Sequence, residues 1–89
     1  MTILEMNIYH TLIAIEEEKA RAGISPCHAL LIGDNLQERV EQRMGQEVTF
    51  SEFYRALQNL SRCRHKIHLG DTSTDMYAKV LYREIPSSL

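Results

Sequence analysis

The chain has 89 residues, 44% of them hydrophobic and 25% charged, with a formal net charge of −2. That length holds one small domain, expected over residues 1–85 with a fraying tail at 86–89, and the composition excludes a disordered tract. No apolar run approaches the ~20 residues of a membrane span, and two cysteines are too few for a disulfide-stapled secreted module. A domain this short hardly shelters a catalytic site, and the net charge alone gives no reason to expect nucleic acid.

Taken in order, Thr2-x-x-Glu5 has the form of a capping box and opens a helix over residues 3–22. Leu4, Ile8, Leu12 and Ile15 repeat at helical spacing as its buried stripe. Lys19 and Arg21 suit the negative end of the helix dipole, and Gly23 stands where the helix stops. Glu16, Glu17 and Glu18 read as a solvated face, with Glu17 placed i,i+4 to Arg21. They also arrive where a secretory signal would still be apolar, so the expected compartment is a reducing cytoplasm.

Residues 24–33 carry two signals. Ser25 as cap, Pro26 at the first helical position and Gly33 as stop favour a short helix, towards which the reading leans. Ala29 to Ile32 also suit a short buried strand. Asp34-x-x-Gln37 resembles a second capping box and predicts a helix over 35–44, with Leu36, Val40 and Met44 on one stripe and Gly45 as its stop. Thr49-x-x-Glu52 is a third box, strengthened by Val48 and Phe53 at hydrophobic-staple positions. It predicts a helix over about 50–63, with Phe50, Phe53, Leu57 and Leu60 inward. Only Gly45-Gln46-Glu47-Val48 separates these two helices, which makes them a helix-turn-helix candidate.

Beyond this helix the period becomes two. Ile67 and Leu69 face one way, and Arg64, Lys66 and His68 the other. A turn-rich interval over 70–75 follows, and then Met76, Ala78, Val80 and Tyr82 alternate with Tyr77, Lys79, Leu81 and Arg83. Two alternating runs around a polar turn predict a β-hairpin.

The charge is polarised along the chain. Residues 1–50 hold four Lys/Arg against eight Asp/Glu, whereas residues 51–89 hold six against four. From Arg55 to Gly70 there is no acid at all. On a helical wheel with Phe53 at zero, Ser51, Arg55, Gln58 and Arg62 fall at roughly 140–200°, opposite the core stripe. Arginine forks match guanine O6 and N7, glutamine pairs with adenine, and a serine near the helix start meets phosphate. Asn59 lies further round and joins the contact set. Arg64, Lys66 and Lys79 are candidates for the sugar-phosphate backbone. Glu52 is discordant, but its capping duty turns it back. Exposed helix faces are polar in any case; what amphipathicity does not explain is the acid-free stretch.

Helix, helix, short turn, helix and hairpin resemble, in that order, a winged helix-turn-helix domain over roughly residues 3–83. The sharpest part is Ser51-Glu52-Phe53-Tyr54-Arg55-Ala56-Leu57-Gln58-Asn59-Leu60, which looks like a recognition helix. Ser61-Arg62-Cys63-Arg64-His65-Lys66-Ile67 stands where a basic turn leads into the first wing strand. The resemblance implies a mostly helical α+β fold and a cytoplasmic regulator, transcriptional or of a mobile element, that reads double-stranded DNA with helix 49–63. It also implies a homodimer, for which helix 3–22 supplies extra apolar residues at Met6, Tyr9 and Ile13; these equally suit packing within the monomer. Two features depart from the pattern. The turn at 45–48 is about two residues long for a compact helix-turn-helix, and Asp71 and Asp75 stand at the wing tip, where carboxylates repel phosphate. The rival reading, favoured by the net negative charge and that acidic wing, is a winged-helix protein adaptor.

Other sites are set aside. In Cys63-x-His65-x-x-His68 the two imidazoles diverge on a strand, so no metal site is expected. Cys27 and Cys63 read as small apolar core residues, and His65 and His68 as surface. Asp71-x-Ser73-x-Asp75 lacks the glycine and glutamate of a calcium loop. Tyr54, Tyr77 and Tyr82 read as packing or interface residues and not as stacking platforms, since they lack the regular spacing of single-strand binders. No nucleophile–base arrangement and no phosphate-cradling glycine loop appears, so neither catalysis nor a cofactor is expected.

Overall fold

In the computed structural model, which describes residues 1–81, Thr2 caps the first helix, α1 (Ile3–Arg21), through a complete capping box with Glu5. Such a cap contributes about 1 kcal/mol by satisfying backbone N–H groups that have no partner within the helix. Ile8, Leu12 and Ile15 are buried along α1, as their spacing predicts, and Tyr9 is buried beside them. Tyr9 therefore serves the monomer's own core, and Ile13 packs against that core half-buried. Ile3 and Met6 stay exposed.

The segment after α1 is a strand and not the short helix towards which its capping signals lean. β1 (Ala29–Leu30) pairs antiparallel with residues near the end of the described chain, Ala29 opposite Ala78 and Leu30 opposite Tyr77. The Leu31 N–H continues the ladder to the Met76 carbonyl at 2.8 Å. Backbone pairing with a distant strand overrides the local helix signals.

α2 (Leu36–Met44) starts without the expected Asp34–Gln37 box. Asn35 takes a left-handed conformation at φ 50° and makes no side-chain cap. Both members of the anticipated box work elsewhere. Asp34 accepts from the Leu30 N–H and from Lys19, and Gln37 donates to the Val48 carbonyl at 2.8 Å. Gly45 ends α2 at φ 72°, where a side chain would be strained. Glu41 accepts the Val48 N–H at 2.8 Å, so α2 clips both backbone groups of Val48 and fixes the turn into the next helix.

α3 (Phe50–Gln58) has the expected Thr49–Glu52 box. Phe53 and Leu57 are buried, whereas Phe50 is not the core residue its spacing suggests. It sits in the first turn at the edge of the apolar stripe, 55% exposed, and stacks on Tyr54. The helix then widens into a π-helical turn, Asn59–Cys63, instead of continuing as α-helix to 63. His65, at φ 53°, turns the chain into the hairpin.

β2 (Ile67–Asp71) and β3 (Met76–Val80) form that hairpin, and the antiparallel sheet runs β1-β3-β2. In the register Ile67 faces Val80 and Leu69 faces Ala78; these residues look inward with Ala29, onto α1 and the π-helical turn. Their opposite neighbours His68, Gly70, Tyr77 and Lys79 look outward. The fold is thus a small α+β domain of three α-helices and one three-stranded sheet among the described residues. No described helix is long and apolar enough to cross a membrane. The expected outward and inward places of Tyr82 and Arg83, the end of the domain at 85 and the tail at 86–89 lie outside the described residues.

One acid of the triplet departs from the solvated face expected of it. Glu16 is buried, and its carboxylate accepts the Val80 N–H at 2.7 Å. Glu17 and Glu18 are exposed, and Glu18 meets Arg39 at 3.3 Å. The cysteines depart too. Both are free thiols, Cys27 half-buried and Cys63 exposed with its thiol against the Asn59 side-chain oxygen.

Candidate nucleic-acid interface

The side chains proposed for contact fall into three groups. The first follows α3. Ser51 and Arg55 are exposed, Gln58 is half-buried and Arg62 exposed, and all lie away from the buried Phe53–Leu57–Leu60 stripe. Gln58 and Arg62, with Tyr54 and Ser61, form one wall of a cleft of about 260 Å³. Leu69, Gly70, Asp71 and Met76 of the hairpin form the other. The π turn keeps Arg62 on the Gln58 side although the α-helix has ended. Glu52 is held in the N-cap, its carboxylate 2.8 Å from the Thr49 hydroxyl, and so is turned from this stripe.

The second group is turned towards α1. Asn59 hydrogen-bonds the buried Glu5 carboxylate, and Arg64 Nε lies 3.5 Å from Glu5 Oε1. Burial alone pushes the Glu5 carboxyl up. The Thr2 N–H, the Asn59 side chain and the Arg64 charge together outweigh burial and hold it below the usual glutamate range. Asn59 and Arg64 are therefore committed to an internal partner before any ligand arrives. Nothing local in the sequence marks this, because Glu5 reads only as a capping residue.

The third group sits on the outer face of the sheet. Lys79 stands opposite His68, both exposed, and Lys66 precedes them half-buried. Tyr77 lies beside them, its ring stacked on His28 at 4.3 Å and tilted to His68 at 5.9 Å. The His28 and Tyr77 rings were not among the expected contacts.

The two wing carboxylates differ. Asp71 opens onto the cleft. Asp75 does not project as a free charge at the hairpin tip. It accepts from the N–H groups of Ile32 at 3.0 Å, Gly33 at 2.9 Å and Met76 at 2.7 Å. Partial burial pushes its carboxyl up, but those three backbone donors win and hold it below the usual aspartate range. Its lone pairs thus dock the 31–33 turn onto the hairpin.

Among the described residues no three His, Cys, Asp or Glu side chains gather at a metal-binding spacing. No family model, no curated protein and no solved structure matches the chain.

Proposed function

We propose that this chain is a winged helix-turn-helix domain that binds duplex DNA with α3 in the major groove. The element order α1–β1–α2–α3–β2–β3 and the strand order β1-β3-β2 support the winged-helix reading. The clipped turn between α2 and α3 supports the helix-turn-helix, since it fixes the short connection between the two helices.

The observation that carries DNA binding is the α3 stripe of Ser51, Arg55, Gln58 and Arg62, opposite the core and with Glu52 drawn back into the cap. Arg55 and Arg62 have the fork for guanine, Gln58 the amide for adenine, and Ser51 sits in the first turn, where the helix dipole attracts phosphate. Lys66 and Lys79 serve the backbone. Arg64 already meets Glu5 through Nε, so in this reading it and Asn59 are secondary contacts. A module of this size gains affinity from a second half-site, and exposed Ile3 and Met6 on α1 offer an apolar face for a second copy. The role is that of a regulator in a reducing cytoplasm.

The test is fluorescence anisotropy with a short labelled duplex, from about 50 to 200 mM salt. Binding weakens with salt, by about 0.9 in log–log slope per phosphate neutralised. Arg55→Ala with Arg62→Ala weakens it at least tenfold while the melting temperature holds. Absence of duplex binding at low salt, or an unchanged affinity in that variant, overturns the reading. The exposed Phe50, stacked on half-buried Tyr54 beside the stripe, favours the adaptor alternative, since aromatic residues anchor protein interfaces. Phe50→Ala then abolishes capture of a protein partner and leaves any duplex affinity as it was.

A further inference from the structure

We propose that the outer face of the sheet is a second binding surface, separate from α3, that takes single-stranded nucleic acid. Three rings, His28, Tyr77 and His68, cluster there: His28 immediately precedes β1, Tyr77 lies on β3 and His68 on β2. His28 and Tyr77 are near parallel at 28°, and His68 leans on Tyr77 at 54°. Gly70, directly opposite Tyr77, is what lets the phenol ring lie across β2, because a Cβ at position 70 would overlap that ring. The backbone under His28 is fixed as well. Lys19 donates to the His28 carbonyl at 3.1 Å while bound to Asp34 at 2.7 Å. The cluster is built before any ligand arrives, which lowers the ordering cost of binding.

The charge of the face selects the partner. The outward positions of the three strands are Leu30, His68, Gly70, Tyr77 and Lys79, with no carboxylate among them. Asp71 and Met76 pair on the inward side, at the cleft. Lys79 and His68 stand directly across from one another and offer cationic and hydrogen-bonding groups beside the rings. Aromatic rings next to cations on an open sheet suit unpaired bases, whose faces are free to stack, and the phosphates between them. A duplex hides its base faces in the stack and leaves these rings nothing to stack on.

The experiment titrates a labelled oligothymidylate into the full chain at low salt and follows anisotropy together with intrinsic tyrosine emission. The chain has four tyrosines and no tryptophan, so a base stacking on the His28–Tyr77 pair quenches the protein's own signal. The expected result is saturable, salt-sensitive binding with quenching. Tyr77→Leu, and separately the surface double variant His68→Ala with Lys79→Glu, each weaken it about tenfold or more. Because His68 and Lys79 are exposed, the double variant keeps its fold, checked by circular dichroism, even if Tyr77→Leu loses it. Arg55→Ala with Arg62→Ala leaves oligothymidylate binding intact, which separates this surface from the α3 reading. No binding at low salt, full affinity in the His68/Lys79 variant, or loss of the signal in the Arg55/Arg62 variant overturns the proposal.

Discussion

Glu16 on the first helix and Val80 on the last described strand are joined by one buried hydrogen bond, the Val80 N–H donating to the Glu16 carboxylate at 2.7 Å. The bond joins residues 64 positions apart and fastens α1 to the sheet. A buried N–H left without a partner costs about 1–3 kcal/mol. Glu16→Leu is therefore expected to destabilise the domain by that amount in urea denaturation at pH 7. Glu16→Gln keeps an acceptor oxygen and loses less. Equal stability of Glu16→Leu and the parent chain contradicts this account.

The same residue shows where the sequence was legible and where it was not. The three α-helices lie close to where their periodicity places them, because a helix closes its hydrogen bonds within four residues and leaves its imprint locally. Glu16 reads as solvent-facing from its neighbours Glu17 and Glu18. Yet it stands i+4 from Leu12 and i+8 from Ile8, on the flank of the buried stripe, and that spacing was the signal to follow. In residues 24–33 the strand was one of two signals and the capping residues favoured the other, since the strand is decided by pairing with Ala78 and Tyr77 far along the chain. The Asp34 box failed for a similar reason: its carboxylate is drawn to Lys19, a partner that no local pattern names. For the site, the wheel placed Ser51, Arg55 and Gln58 on the face away from the core. It could not foresee that Asn59 and Arg64 turn to Glu5, nor the π turn that carries Arg62.

The Glu5 cluster makes stability depend on acid. The Glu5 carboxyl titrates lower in the folded chain than in the unfolded one. Its contribution is therefore complete above the ordinary carboxylate range of about 4 and is lost as pH falls through the lower folded value. Glu5→Gln is expected to cost about 1–2 kcal/mol at pH 7, where a buried, hydrogen-bonded charge is removed. The gap between variant and parent narrows as pH falls below about 4, where the unfolded chain protonates first, and closes as the folded carboxylate follows at lower pH. Denaturation midpoints measured from pH 7 to pH 3 check this, and a constant gap across that range refutes it.

Asp75 acts in the same direction for a different reason, since its charge is held by three backbone N–H groups and not by a cation. Asp75→Asn keeps one acceptor oxygen but places an amide N–H₂ against backbone donors. The expected cost is about 1–3 kcal/mol, with the loss concentrated at the 31–33 turn. Amide hydrogen exchange reads it directly: the Ile32 and Gly33 N–H groups exchange faster in the variant while those buried in α1 keep their protection. Uniform loss of protection across the domain counts against a local docking role.

Gly70 and Tyr77 form a pair whose coupling is measurable without any ligand. A Cβ on residue 70 would overlap the Tyr77 ring, so Gly70→Ala forces that ring off the sheet and disturbs its stack on His28. Overpacking of this kind costs about 1–3 kcal/mol. In a Tyr77→Ala background the obstacle is gone, and the same glycine substitution becomes close to neutral. The double-mutant cycle should therefore show a coupling of about 1 kcal/mol or more between the two positions. A Gly70→Ala cost that is identical with and without the tyrosine ring would mean that the glycine serves the strand's backbone and not the ring, and the flat-lying Tyr77 would lose its structural explanation.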